Sequence, residues 1–423
     1  MLRPKVLLAY HFFHPDGVVS ARLFSDLALG LHRRGWSVTV LTSNRTWGRP
    51  SVRLSRREHW NDVAIERIHR PDWAQERPVQ RLLNSAWLLA GWLAVAPRLG
   101  RFDAAVVGSD PAFAPVLLHP LRRLWPDTAL AHWCFDMYPE AIAADGTHGV
   151  VRSLLPAARG LMAGAYRSCD AIVDLGPKMR ERLQKYPSAA HRETLVPWAL
   201  AEPAEAPRAP DPKTRARMFG DAQLALLYSG TLGRAHDFEN ILHLARLSRA
   251  RFGQRFQFAF ATRGSRSEEL RRSLGPADGN VRILPFEDEV DLARHLEAAD
   301  VHLLSLREEW SGLVVPSKFF GSLALGRPVL YSGPADSDVA RWIEELGVGW
   351  RLDPANTAPL LDALSEFATS ANAQAAMQRR ARDAYFTHFS KDSMIDRWDH
   401  LLRVLMARRR RMPAVGRESA EAR

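Results

Sequence analysis

The 423 residues, 46% of them hydrophobic, are too many for one ordinary core and suit two domains of roughly 200 residues each. The only cysteines, Cys134 and Cys169, sit in separate apolar stretches, which excludes a disulfide framework and a Cys/His zinc site and fits a reducing compartment. The net charge of +11 is uneven: residues 1–200 hold 26 Lys and Arg against 17 Asp and Glu, residues 201–423 hold 32 against 30. A basic first half can meet anionic lipid or a phosphorylated substrate, and no arginine–aromatic interleaving or finger spacing points to nucleic acid.

The opening KVLLAY reads as a first strand rather than a signal peptide, because its apolar run ends at His14, Pro15 and Asp16 with no small-residue cleavage site. An amphipathic helix over Ser20–Arg34, the stop at Gly35 and the run SVTVLT complete a βαβ unit with a parallel sheet. The apolar window Ala86–Pro97 is short of the roughly 20 residues that cross a bilayer. It is read as a helix packed on the sheet, with interfacial docking through Trp87 and Trp92 as the alternative. Strands follow at Asp103–Gly108, Thr128–Cys134 and Asp170–Gly176.

Residues 1–200 thus form a first domain, and residues 201–212, with four prolines, form a linker. The alternation restarts with LALLYSG, a helix at Phe238–Phe252, FQFAFA, VRILPF, DVHLLSL and PVLYSG, a second doubly wound domain over residues 213–388. A long helix over residues 389–410 returns to the first domain, and residues 411–423 form a disordered tail.

Neither sheet carries the dinucleotide fingerprint or a phosphate loop of the Walker type, and no metal-ligating cluster stands out, so no cofactor is expected. In VVPSKFFGSLALGRPVLYSG, Pro316 and Ser317 open a helix that Gly326 closes. Unpaired N–H groups, the positive helix end and the Lys318 ammonium there suit a diphosphate; the alternative is an ordinary capped helix with Lys318 in solvent. In YSGTLGRAHD, Gly230 and Gly233 allow close backbone approach, with Arg234 and His236 as donors, unless the loop is a plain connection capped by Asp237. Gly264 is a weaker candidate of the same kind. In the first half, Gly17 follows the first strand, while His132, Asp136 and Glu140 lie at and beyond the end of another, where polar groups serve either ligands or helix caps.

HPDGVVSARLFSDLALGLHRRGWSVTVLT, DMYPE, LVPW, SGTLGRAHDFENIL and VPSKFFGSLALGRPVL, taken in this order along the chain, resemble the retaining glycosyltransferases of family 4. The likeness is greatest to the branch of bacterial exopolysaccharide, colanic acid and O-antigen assembly. It implies the GT-B fold: α/β, two doubly wound Rossmann-like domains with an interdomain cleft and long C-terminal helices. It further implies a metal-independent hexosyl or related sugar transferase in bacterial surface polysaccharide biosynthesis. Its donor is a nucleotide-diphosphate sugar, its acceptor a saccharide or polyprenyl-diphosphate-linked sugar. Its place is the cytoplasm, peripherally at the inner membrane surface.

By this likeness Gly230, Gly233, His236, Gly264 and Ser317 bind the donor, Arg234 and Lys318 stabilise the leaving diphosphate, and Gly17 faces the transferred sugar. Phe286 with Pro285 flanks the base, Asp136 is catalytic beside the acceptor, and His132 and Glu140 lie on the acceptor side. The sequence departs from the family at Thr231 and His236, where Arg and Lys are common, so Arg234 is expected to supply the charge. It departs also at Leu313 and Gly321, where two glutamates are expected, with Lys318 in compensation. A nucleotide-sugar epimerase of similar shape and a non-catalytic nucleotide-sugar-binding protein are the competing readings.

Overall fold

The computed structural model describes residues 3–47, 51–74, 77–146, 150–200, 209–286 and 289–411. The chain divides into two compact units, one of Met1–Val196 with Asp392–Arg423 and one of Pro197–Lys391. The linker expected at 201–212 falls outside the described residues up to 208, and the tail expected at 411–423 falls outside them from 412.

The first unit is built on strands β1 (Lys5–Ala9), β2 (Ser37–Ser43), β3 (Arg57–Trp60), β4 (Val63–Ile68), β5 (Ala104–Gly108), β6 (Ala129–Trp133), β7 (Ala171–Asp174) and β8 (His191–Thr194). They lie in the order β3-β4-β2-β1-β5-β6-β7-β8, all parallel except β3, which pairs antiparallel with β4. β5 and β6 are buried along their whole length and β1 along all but its first residue, which is why they read as nearly unbroken apolar runs. The helices that matter for function are α1 (Val19–Arg33), α2 (Pro78–Val95), α3 (Leu118–Leu124), α4 (Glu140–Ala144) and α5 (Val150–Arg167).

The C-terminal helix, Lys391–Arg411, belongs to this unit. Its Asp399 accepts from the Trp36 indole at 2.6 Å, its Asp396 from Arg34 at 2.7 Å, and its Trp398 is buried against Trp133. Gly30 of α1 leaves the space that Ile395 fills: a Cβ there would stand 2.6 Å from the isoleucine side chain.

The second unit is a six-stranded parallel sheet of β9 (Leu224–Thr231), β10 (Phe256–Arg263), β11 (Val281–Leu284), β12 (Val301–Ser305), β13 (Val329–Ser332) and β14 (Gly349–Leu352), ordered β11-β10-β9-β12-β13-β14. Its core holds Leu224, Leu226 and Tyr228 of β9 beside Phe256, Phe258 and Phe260 of β10. Helices α6 (Glu239–Phe252), α7 (Lys318–Ala324) and α8 (Ala371–His388) follow β9, β12 and β14. In each sheet the chain runs out in one direction and then returns to the other side, at β1/β5 in the first and β9/β12 in the second. Loops diverge at such reversals and leave a crevice at the C-terminal strand ends.

Two expectations about secondary structure are corrected. The apolar helix is not confined to Ala86–Pro97: α2 begins at Pro78, and with the following 3-10 turn it includes the stretch Val79–Leu99, 21 residues, long and apolar enough by length and composition to cross a membrane. The helix expected to open at Pro316 begins at Lys318, with Ser317 as the N-cap residue.

Candidate functional site

At the β9/β12 reversal, Gly230 has φ +127°, a conformation that side chains other than glycine rarely adopt. A Cβ at Gly230 would stand 2.5 Å from Lys318 Cε, so the missing side chain makes room for the lysine stem. Lys318 Nζ donates to the Thr231 carbonyl at 3.2 Å and lies 5.1 Å from the Tyr228 ring centroid. Lys318 is therefore half-buried and docked rather than extended into solvent. Burial alone pushes its ammonium down to about 8, and among the described residues no carboxylate is recorded as its ion-pair partner. Ser317 makes no side-chain cap bond.

His236 is near this lysine in an unexpected state. Its Nδ1 lies 2.7 Å from the Ser305 carbonyl, which can only accept, so Nδ1 carries the proton. Burial, with a smaller contribution from Lys318, pushes the imidazole down to about 3. The ring is neutral and Nε2 is left as an acceptor. In this state Nε2 suits a hydroxyl rather than the phosphate to which His236 is expected to donate, and the cation beside it is Lys318. Arg234 is exposed on the same loop.

The remaining glycines separate into two kinds. Gly264, at φ +115°, is held against backbone, since a Cβ would meet the Leu232 carbonyl oxygen at 2.8 Å; its glycine joins two loops and the space is already filled. At Gly233 the nearest atom to an added Cβ is 3.8 Å away, and the space beside it stays open to close approach by a ligand. Beyond β11, Phe286 carries the Arg263 guanidinium 4.4 Å from its ring centroid, a flat cationic platform on which a base could stack. Arg263, Tyr228 and Ser305 escaped the sequence reading; the one signal available was a cation ending the buried run FQFAFAT.

A cavity of about 570 Å³ opens beyond β12–β14 and is lined by Asp237, Arg307, Glu308, Glu309, Asp336 and Arg351 among others. Its carboxylates repel a diphosphate, which favours the Lys318 cluster as the candidate anion site. Leu313, where a glutamate was expected, is buried. Among the described residues no group of three His, Cys, Asp or Glu could hold a metal ion.

In the first unit, Asp136 follows β6, and its N–H and that of Phe135 both donate to Ser109 Oγ, at 3.1 and 2.7 Å. Burial first and the charge of Asp110 second push its carboxyl up to about 6. α4 begins with Pro139 at the N-cap and no side-chain cap bond, so Asp136 is not that helix's cap. Asp110 itself lies 3.3 Å from His11 Nδ1. Neither His11 nor Asp110 was singled out from sequence, because they lie just beyond β1 and β5, 99 residues apart.

The acceptor-side expectation fails for two residues. His132 lies inside β6, 1% exposed, with Nδ1 2.8 Å from the Val107 carbonyl and a pKa pushed by burial down to about 4; it is a core histidine because both faces of the central strands are covered. Glu140 is drawn inward, accepting from the Tyr186 hydroxyl at 2.7 Å and Arg159 at 3.1 Å. Gly17 is exposed in the loop after β1, beside Asp16, whose carboxylate accepts from the N–H groups of Val18 and Trp47.

No protein-family model matches the sequence. The chain is 27% identical over 284 residues to the probable glycosyltransferase WbjE of Pseudomonas aeruginosa, covering 64% of this chain and 68% of that protein. Sucrose-phosphate synthase from Thermosynechococcus elongatus superposes with a TM-score of 0.70 at 14% identity, over 96% of this chain and 100% of that one. The fold is GT-B. Anabaena HepE, solved with UDP, matches this GT-B chain at a TM-score of 0.63 and 12% identity, over 95% and 100% of the two chains. The chain is thus homologous to a probable glycosyltransferase, and the solved structures it resembles share its fold.

Proposed function

We propose that this chain is a retaining, metal-independent glycosyltransferase of family 4 that moves a sugar from a nucleotide-diphosphate donor to a lipid-linked saccharide in bacterial surface polysaccharide assembly. The reading rests on one observation above the others: Lys318, half-buried and with no carboxylate partner among the described residues, docked beside Gly230 at the reversal of a parallel sheet. Homology to WbjE and the UDP bound by HepE support the donor class.

Departure of the nucleoside diphosphate builds charge on its β-phosphate, and a cation already stripped of part of its water interacts with that charge more strongly than one in solvent. Lys318 fills this role, the N–H groups around Ser317 add to it, and exposed Arg234 closes on the phosphates. Gly233 admits the donor backbone, and the Arg263–Phe286 platform takes the base. His236 Nε2 accepts from a sugar hydroxyl. The acceptor hydroxyl attacks on the face the leaving group vacates and its proton passes to the departing phosphate. Asp136, largely ionised at neutral pH, orients that hydroxyl.

The test is release of nucleoside diphosphate from UDP-, GDP- and ADP-sugars with and without a membrane extract supplying acceptors. Acceptor-dependent release with the sugar recovered in lipid supports the proposal. An altered sugar nucleotide without release would indicate an epimerase, and binding without turnover a silent protein; either overturns it.

A further inference from the structure

Helix α2 presents two unlike faces. Asn84, Ser85, Leu88, Trp92 and Val95 are buried, and Gly91 brings the helix so close to β4 that a Cβ would stand 2.4 Å from the Ile68 side chain. The opposite face is open: Val79 is 70% exposed, Leu82 56%, Leu83 49%, Trp87 50% and Leu93 39%. Val79, Leu82, Leu83 and Trp87 recur at three- and four-residue spacing and, with Leu93 further on, form one apolar ridge along the helix. Trp73, also exposed, stacks edge-on against Trp87, whose indole donates to the His69 carbonyl at 2.8 Å. Trp92, the other tryptophan the sequence offered for interfacial docking, is core instead.

The ridge runs into an apolar groove of about 340 Å³ between α2, α3 and α5, lined by Leu89, Leu93, Leu117, Leu161 and Ala165 among others. Charge sets this surface apart. α2, α3 and α5 contain no aspartate or glutamate, whereas Arg81, Arg98 in the 3-10 turn after α2, Arg123, Arg152 and Arg167 are exposed. Arg81 is also near enough to Asp136 to favour that carboxylate, so the ridge starts beside the proposed acceptor residue.

We propose that the open face of α2, with the groove it shares with α3 and α5, is a docking surface for an anionic lipid bilayer, with the helix lying in the interface. An apolar ridge of leucines and an outward tryptophan, on helices that carry arginines and no carboxylate of their own, matches lipid chains below and anionic headgroups around them. A second copy of the chain is a poorer match, because self-association would bring the same arginines together. The helix does not span, since its buried face is fastened to β4.

The experiment is flotation of the full chain with vesicles of phosphatidylcholine alone or with about one-third phosphatidylglycerol, at low and high salt. Binding is expected to need phosphatidylglycerol and to weaken with salt. Leu82→Gln with Leu83→Gln should lower it by about tenfold or more, and Arg98→Glu with Arg123→Glu should abolish the preference for anionic lipid. Brominated lipid should quench the wild type more than Trp87→Phe. All these side chains are exposed, so melting curves should match the wild type. Absence of binding to the anionic vesicles, unchanged binding of the leucine variant, or a solution dimer that the leucine variant dissociates would each overturn the proposal. Nucleoside diphosphate release on the same samples keeps this apart from the catalytic reading: an active protein that ignores vesicles sinks only the docking surface, an inactive one that binds them sinks only the transferase.

Discussion

Replacing Lys318 by Met should stabilise the second unit while removing its affinity for nucleoside diphosphates. The ammonium is held at about 8 against an ordinary 10.5, so between those values the folded chain binds fewer protons than the unfolded chain. The charged form therefore opposes folding at every pH below about 8, and the penalty fades as pH rises towards 10.5. The difference corresponds to about 3 kcal/mol for a fully enclosed charge, and the access of water to this half-buried group reduces it to about 1–2 kcal/mol. Met keeps the stem that fills the space at Gly230 and discards the charge, so at neutral pH the variant should melt higher. Binding runs the other way. A diphosphate beside Nζ returns a counter-charge and raises the lysine pKa, so above pH 8 the complex takes up a proton on forming. Affinity should then fall by up to about tenfold per pH unit above about 8. Calorimetric titration of UDP, GDP and ADP between about pH 7 and 9.5, in buffers of different ionisation heat, reads both affinity and proton uptake. Equal affinity across that range without uptake, or a Lys318→Met protein that binds as the wild type does, would falsify the placement of Lys318 against the diphosphate.

Asp136→Asn should lower the transfer rate by about a hundredfold or more while leaving nucleoside diphosphate affinity unchanged, and should remove the rise of kcat/KM with pH through about 6. Wild-type rates in that variant would take Asp136 out of the chemistry. Gly230→Ala places a methyl 2.5 Å from Lys318 Cε at a left-handed φ, and should cost about 1–3 kcal/mol in stability and weaken donor binding by displacing the lysine; melts and titration on one preparation show both. His132, His236 and His302 are held by burial at about 4, 3 and 4, below their ordinary 6.5, so the unfolded chain takes up protons first as pH falls. Stability should decline below about pH 6.5 by up to about 1.4 kcal/mol per pH unit for each histidine, and His302→Asn should make the decline shallower. Melting temperatures level from pH 7 to 5 would contradict this.

Periodicity and turn chemistry placed β1, α1 and β2, the strands β5–β7 and most of the second sheet, because a strand covered on both faces must be an apolar run bounded by turns. β3 and β4 escaped that reading. REHW is a polar edge strand, and β4 buries Glu66 inside its apolar pattern, a carboxylate tolerable there because Arg56 and Arg57 reach it at 3.2 and 2.7 Å. In the same way the loop that carries Gly230 and the helix that carries Lys318 were both legible, yet their meeting was not, since 87 residues separate Lys318 from the Thr231 carbonyl it touches. Local sequence determines where a chain turns, which residues favour a strand and which side chains bear charge. Only tertiary packing decided that Lys318 is desolvated, that His236 holds its proton on Nδ1, that His132 is core and that Trp87 faces outward while Trp92 does not. Burial and hydrogen-bond partners come from residues far apart in the chain, and they set which ionisation state and which face each group presents.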